Sequence, residues 1–198
     1  MSISLSKGQK ISLEKGRGLS KVFMGCGWDP AKAPSKKGFL GSIFGGGGAD
    51  EIDLDASVIV LDENKALIDL VWFQQLTSKD GAITHSGDNL TGEGDGDDET
   101  IYVDLARLDV RAEYLVFTVN SFRGQTFNEV DNAFARLVDD TNQVEICRFT
   151  LTEKGQHTGV VMASLERTRA GWEMTAHGKP ANGRTASDMS NIAKNIVQ

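Results

Sequence analysis

The stretch SGDNLTGEGDGDDET, residues 86 to 100, gathers six carboxylates and four glycines between residues 87 and 99, with no lysine or arginine among them. Carboxylate and amide oxygens are hard donors, and glycines let a backbone bend around a guest, so the chemistry on offer is the binding of a hard cation. Like charges at this density repel one another unless something neutralises them. The donors that matter are Asp88, Asn89, Asp95, Asp97, Asp98 and Glu99, hinged by Gly87, Gly92, Gly94 and Gly96. Calcium takes about 6–8 oxygens from such groups, whereas magnesium keeps several waters and needs only one or two carboxylates, so this all-protein set favours calcium. The spacing is not that of an EF-hand. Counting from Asp88 the third position is Leu90, and counting from Asp95 the sixth is Thr100 where an EF-hand needs glycine. GEGDGDD matches part of the repeat that builds calcium-binding β-rolls, but one copy cannot stack.

A second pair of carboxylates lies upstream, in EIDLDASVIVLD at residues 51 to 62. Alternation along a strand turns Leu54, Ala56, Val58 and Val60 one way and Asp53, Asp55 and Ser57 the other. Residues two apart on one face stand about 7 Å apart, near enough for Asp53 and Asp55 to serve one ion or two neighbouring ones. The plainer alternative is a solvated strand face. Zinc is disfavoured, because His85, His157 and His177 do not cluster with Cys26 or Cys147 and neither cysteine belongs to a paired ligand spacing. Two isolated cysteines read as buried thiols in a reducing cytosol.

The acidity is local. Of the net charge of −7, residues 87 to 99 carry −6. No basic stripe is left to grip nucleic acid. No apolar run approaches the roughly 20 residues that span a bilayer, and no N-terminal secretory signal is visible, so the expectation is a cytoplasmic protein. With 198 residues and 39% hydrophobic content, the chain is expected to form one domain, residues 1–198, with an ordinary packed core.

The elements that must position these donors are mostly strands. Short runs of Val, Ile, Leu and Phe broken by turn residues predict strands over 11–13, 21–26, 52–61, 66–73, 100–105, 114–119, 134–138, 144–151, 160–166 and 172–176. DENK at 62–65, DDTNQ at 139–143 and RAG at 169–171 punctuate hairpins. The architecture expected is all-β, a two-sheet β-sandwich with a few short helices, the acidic loop lying at one end beside the strand of Asp53 and Asp55. TFNEVDNAF suggests a short helix, since Thr126 and Glu129 form a capping box and Phe127, Val130 and Phe134 keep helical spacing. A second helix, about 187–197, carries Met189, Ile192 and Ile196 on one stripe and should pack on the sandwich. Residues 30–50 form a glycine-rich insertion, expected to be mobile. Its FGGGG is not a phosphate cradle, because no Lys-Ser or Lys-Thr pair follows.

Taken together, ISLSKGQKISL, GCGWDP, DLDASVIVLD, HSGDNLTGEGDGDDE and FARLVDDTNQVEICRFTL resemble the TerD family of bacterial tellurium-resistance and stress proteins, from residue 3 to about 177. The resemblance implies a β-sandwich with one or two calcium ions, a role in resistance to tellurite and other stresses beside other proteins of the same operon, and no established catalytic activity. Family binding residues carry over onto Asp53 and Asp55, and onto Asp88, Asn89, Asp95, Asp97, Asp98 and Glu99, with Asp29 of GWD as a further addition. The insertion and the C-terminal NGRTASDMSNIAKNIVQ depart from the family pattern.

Three functions compete on this reading: a calcium-binding stress protein acting as a binding or scaffold module, a metal-dependent hydrolase of phosphate esters, and a simple calcium buffer. The hydrolase lacks a cation within the loop to clamp a phosphoryl oxygen. Arg123 and His85 are near in sequence, but sequence alone does not place them in the site.

Overall fold

In a computed structural model, residues 2–14, 19–31, 53–87, 96–152 and 154–197 are described. Residues 32–50 of the insertion lie outside them, as does the middle of the acidic loop, 88–95. The strands are β1 (Ile3–Leu5), β2 (Lys10–Glu14), β3 (Lys21–Pro30), β4 (Leu54–Leu61), β5 (Leu67–Val71), β6 (Ile83–His85), β7 (Glu99–Asp104), β8 (Tyr114–Ser121), β9 (Val130–Asp139), β10 (Val144–Thr150), β11 (Gly159–Thr168) and β12 (Gly171–Ala181), followed by the helix α1 (Ala186–Ile196). They form two six-stranded sheets, β1-β10-β9-β3-β7-β6 (sheet A) and β2-β12-β11-β8-β4-β5 (sheet B). Pairing is antiparallel except for β1 on β10, where Ile3 lies opposite Cys147.

Alternating residues explain how the sheets stack. Met24, Cys26 and Trp28 of β3, Leu137 of β9, Ile101 of β7, Leu54, Ala56 and Val58 of β4 and Phe117 of β8 point between the sheets into one apolar cluster. Burying each large side chain of this kind contributes about 1.5–3 kcal/mol. Sheet B has a second buried face. Ile59 and Leu61 of β4, Val116 of β8 and Val161 of β11 meet Met189, Ala193 and Val197 at the helix. All eight residues of β4 and all eight of β8 are therefore buried. A strand buried on both faces reads as a nearly continuous apolar run, as in SVIVL.

The three hairpin signals mark real turns, and Lys65 and Gln143 take the left-handed backbone that two of them require (φ 62° and 60°). The capping box at Thr126 also forms, its N–H donating to Glu129 Oε2 at 2.7 Å. The helix expected there does not continue. A single 3₁₀ turn, Phe127–Glu129, gives way to β9 at Val130, because β9 pairs with β3 from Val130 onward and with β10 from Phe134 onward. Tertiary pairing outweighs a local start signal. The C-terminal helix appears as expected, capped by Thr185, whose side chain accepts from Asp188 N–H. Among the described residues no helix is long and apolar enough to cross a membrane.

Candidate cation site

The outer face of sheet B grades from polar to apolar along one pair of strands. Opposite residues are Asp55 and Asn120, Ser57 and Thr118, Ile59 and Val116, Leu61 and Tyr114. The apolar end lies under α1, and Ser57 Oγ and Thr118 Oγ1 are 3.2 Å apart in the middle. Asp53 and Asp55 share this face, and it is not solvated: they are 6% and 3% exposed. Burying carboxylates is costly unless charge or hydrogen bonds compensate. Arg123, nearly half exposed, supplies one compensation, with its Nε 3.0 Å from Asp53 Oδ2.

The acidic loop is the connection between β6 and β7, and its two stems meet β4. β5 pairs with β4 only from Val58 to Leu61. Short of that, the backbone of Ala56 is satisfied by side chains of sheet A: its N–H donates to Glu99 Oε2 at 2.6 Å, and its carbonyl lies 3.0 Å from His85 Nε2. His85 Nε2 is also 3.4 Å from Glu99 Oε2, both side chains being fully buried. His85 Nδ1 accepts from Gly87 N–H at 3.0 Å, which leaves the ring's proton on Nε2, facing Ala56 and Glu99. Burial opposes charging His85, yet Glu99, with Asp55 beyond it, holds the ring's pKa above its ordinary value. The hairpin that carries the loop is thus fastened to the residue that follows Asp55.

The remaining acids serve other contacts. Asp98 Oδ2 accepts from Trp28 N–H at 2.7 Å. Burial pushes its carboxyl up, the Trp28 bond opposes this, and the nearby charges of Asp29, Glu99 and Asp97 add to it. Asp97 accepts from Arg136 on the outer face of sheet A, over Gly25, where a Cβ would collide with the carboxylate. Asp29 accepts from Asn132 Nδ2 at 2.7 Å and lines, with Trp28, Gly96, Phe134 and Arg148, a cleft of about 350 Å³ at the return of the loop.

The structure therefore brings Asp55, Glu99 and Asp98 toward the foot of the loop, with Asp53 two residues from Asp55, and sets Asp97 apart on the other sheet's outer face. Asp88, Asn89 and Asp95 lie outside the described residues. Among the described residues no three His, Cys, Asp or Glu side chains form a metal site by themselves. The donors present are nonetheless of one kind, hard oxygens, and they include the buried Asn120 Oδ1, which accepts no hydrogen bond among the described residues. That set fits calcium and not a softer metal. Sequence reasoning missed Asn120 and Trp28 as members of this corner and left His85 and Arg123 unplaced. For Asn120 the signal was register: a polar residue in a buried strand, opposite an aspartate.

A two-sheet β-sandwich with a carboxylate-rich corner and an acidic hairpin defines the class. Comparison with known proteins gives the family: the model of the TerD domain matches residues 1–194, and the chain belongs to the TerD family. The tellurium resistance protein TerZ of Serratia marcescens is 52% identical over 99% of this chain and 100% of that protein. The stress response protein SCP2 of Bacillus subtilis is 41% identical over 96% and 98%. Two solved structures share the fold: a protein of unknown function, SAV2460 (TM-score 0.69, 21% identity, 89% of this chain and 98% of that one), and a homologue of TerD, SCO6318 of Streptomyces coelicolor (TM-score 0.64, 20% identity, 84% and 92%).

Proposed function

We propose that the protein is a calcium-binding module of the tellurium and stress response, working in the cytoplasm as a scaffold beside other products of the same resistance operon. One observation carries the calcium reading: His85 and Glu99, one on each stem of the acidic hairpin, both contact Ala56, so the loop is anchored against the strand of Asp53 and Asp55. Asp53, Asp55, Asp98 and Glu99 would hold one or two ions together with Asp88, Asn89 and Asp95. Asp97, gripped by Arg136, would tether the loop's return. Bound calcium supplies positive charge to a corner crowded with carboxylates; the residues of the chain supply the frame. Free, buried Cys26 and Cys147 suit a reducing compartment. Similarity to proteins named for tellurium resistance and stress response supports the physiological reading. Calorimetric titration of the metal-free protein with calcium tests it; no heat of binding at millimolar calcium overturns it.

A second reading, a metal-dependent phosphate-ester hydrolase, gains one support from Arg123, which stands beside Asp53 and is exposed enough to meet an anion. Release of phosphate from a generic aryl phosphate ester, dependent on calcium or magnesium and lost in Arg123→Met, would favour it over a binding module.

A further inference from the structure

We propose that Asn120 is a neutral ligand of the cation and ties the cation site to the C-terminal helix; this rests on the calcium reading above. Asn120 is 1% exposed and lies directly across β4–β8 from Asp55. Opposite residues of an antiparallel pair project from the same face with Cβ atoms about 4.5–5.5 Å apart. The amide's orientation is fixed, because Nδ2 donates to the carbonyl of Arg184 at 2.9 Å, and the flipped amide would set two oxygens against each other. Oδ1 is left buried and accepts no hydrogen bond among the described residues. On its other flank, Asn120 pairs with Gly159. There the fully buried Met189 closes the space, its sulfur 3.0 Å from where a Gly159 Cβ would stand. A thioether offers no proton.

Across the strand pair the facing residue is Asp55. A hard cation between the two can be bound by both, and it gives the buried Asn120 Oδ1 a partner; amide carbonyls are ordinary calcium ligands. Ligation of Oδ1 also draws electron density from the amide and strengthens its N–H donation to Arg184. That matters for the helix, since Arg184 immediately precedes the N-cap Thr185 of α1. The Arg184 side chain closes the circuit: Nη2 donates to the Arg123 carbonyl at 2.8 Å, and Arg123 pairs with Asp53. Asp53 thus reaches the start of α1 through Arg123 and Arg184, and Asn120, opposite Asp55 in register, reaches it through the Arg184 carbonyl. Calcium binding and seating of the helix are linked by this path.

Calcium titration and terbium luminescence lifetimes in H₂O and D₂O, on the full chain, test the assignment. Asn120→Ala should weaken calcium binding by about tenfold or more and add one coordinated water to bound terbium, a change that a merely structural residue would not produce. Asn120→Asp keeps an oxygen in place and should hold the wild-type water number. In the wild type, calcium should slow hydrogen exchange at the first turn of α1. Unchanged affinity and hydration in Asn120→Ala, with calcium binding intact in the wild type, overturns the role of Asn120 alone. If Asn120→Ala does not fold, an added water in Asn120→Asp overturns it. A wild type that binds neither ion removes the calcium reading and this one with it.

Discussion

Arg136 holds Asp97 by two hydrogen bonds of 2.7 Å, Nε to Oδ1 and Nη2 to Oδ2, across the gap that Gly25 leaves in sheet A. A paired guanidinium and carboxylate of this geometry is stronger than a neutral hydrogen bond, and here it fixes the point where the acidic loop rejoins β7. Asp97→Asn should lower folding stability by about 1.5–3 kcal/mol in metal-free buffer, seen as a smaller urea midpoint. Calcium affinity should fall less than in Asp55→Asn. An Asp97→Asn protein that loses all calcium binding while keeping its stability would make Asp97 a ligand after all.

Calcium should raise the melting temperature. Binding to the folded state alone stabilises by RT ln(1 + [L]/Kd), about 2.7 kcal/mol at a hundredfold excess over Kd. Magnesium should give a smaller rise, because its octahedral demand is poorly met by many carboxylates. Asp55→Asn should remove most of the calcium-dependent rise. Differential scanning calorimetry across calcium concentrations checks this, and a melting curve that never moves would return the loop to a solvated acidic turn.

Glu99 separates two roles that a single substitution would blur. Glu99→Gln keeps an acceptor for Ala56 N–H, so metal-free stability should stay close to wild type while calcium affinity drops. Glu99→Ala leaves that buried N–H without its acceptor and should cost about 1–3 kcal/mol even without metal. Equal stability loss in both variants, measured by urea unfolding, would show that charge, not the hydrogen bond to Ala56, matters at this position.

His177 gives a pH dependence away from the cation corner. Burial, with Lys10 and Lys179 nearby, pushes its pKa down to about 4, and Nε2 meets Ser164 Oγ at 2.8 Å. In the unfolded chain the imidazole titrates near about 6.5. Between those values the unfolded chain binds a proton that the folded ring refuses. This part of the stability is therefore complete above pH 6.5 and falls with pH toward 4, by at most about 1.4 kcal/mol per unit and by less where solvent reaches the ring. His177→Gln, which can still meet Ser164, should flatten that part of the profile. An unaltered slope in urea unfolding across this range would assign the acid sensitivity elsewhere.

How much of this was legible in the sequence depended on whether the cause was local. The core strands were, since SVIVL, YLVFTV and VVMASLE carry their own apolar runs and their turns carry their own turn residues. β1 and β6 were not: each is three residues long, and each is a strand because of its partner, β10 for one and β7 for the other. TFNEVDNAF carried a true capping signal whose helix lost to the ladder of β9. Alternation placed Asp53 and Asp55 on one face correctly but did not say that the face would be buried, because α1 covers its apolar end from far along the chain. The partners of the acids followed the same rule. His85, Asn120 and Arg136 reach them through pairing and packing, and no spacing in the sequence announces that.

The parallel seat of β1 on β10 has a consequence for the order in which the protein is made. Ile3 leaves the ribosome long before its partner Cys147. Until then β1 has no place in the sheet. Contacts between residues so distant carry a large loop-closure cost and form late. When β10 emerges and joins β9, its other side is an open edge until β1 arrives. An open edge is where strands of different chains pair wrongly, so the newly made protein is most vulnerable to aggregation in the interval between the seating of β10 and the return of its own first strand.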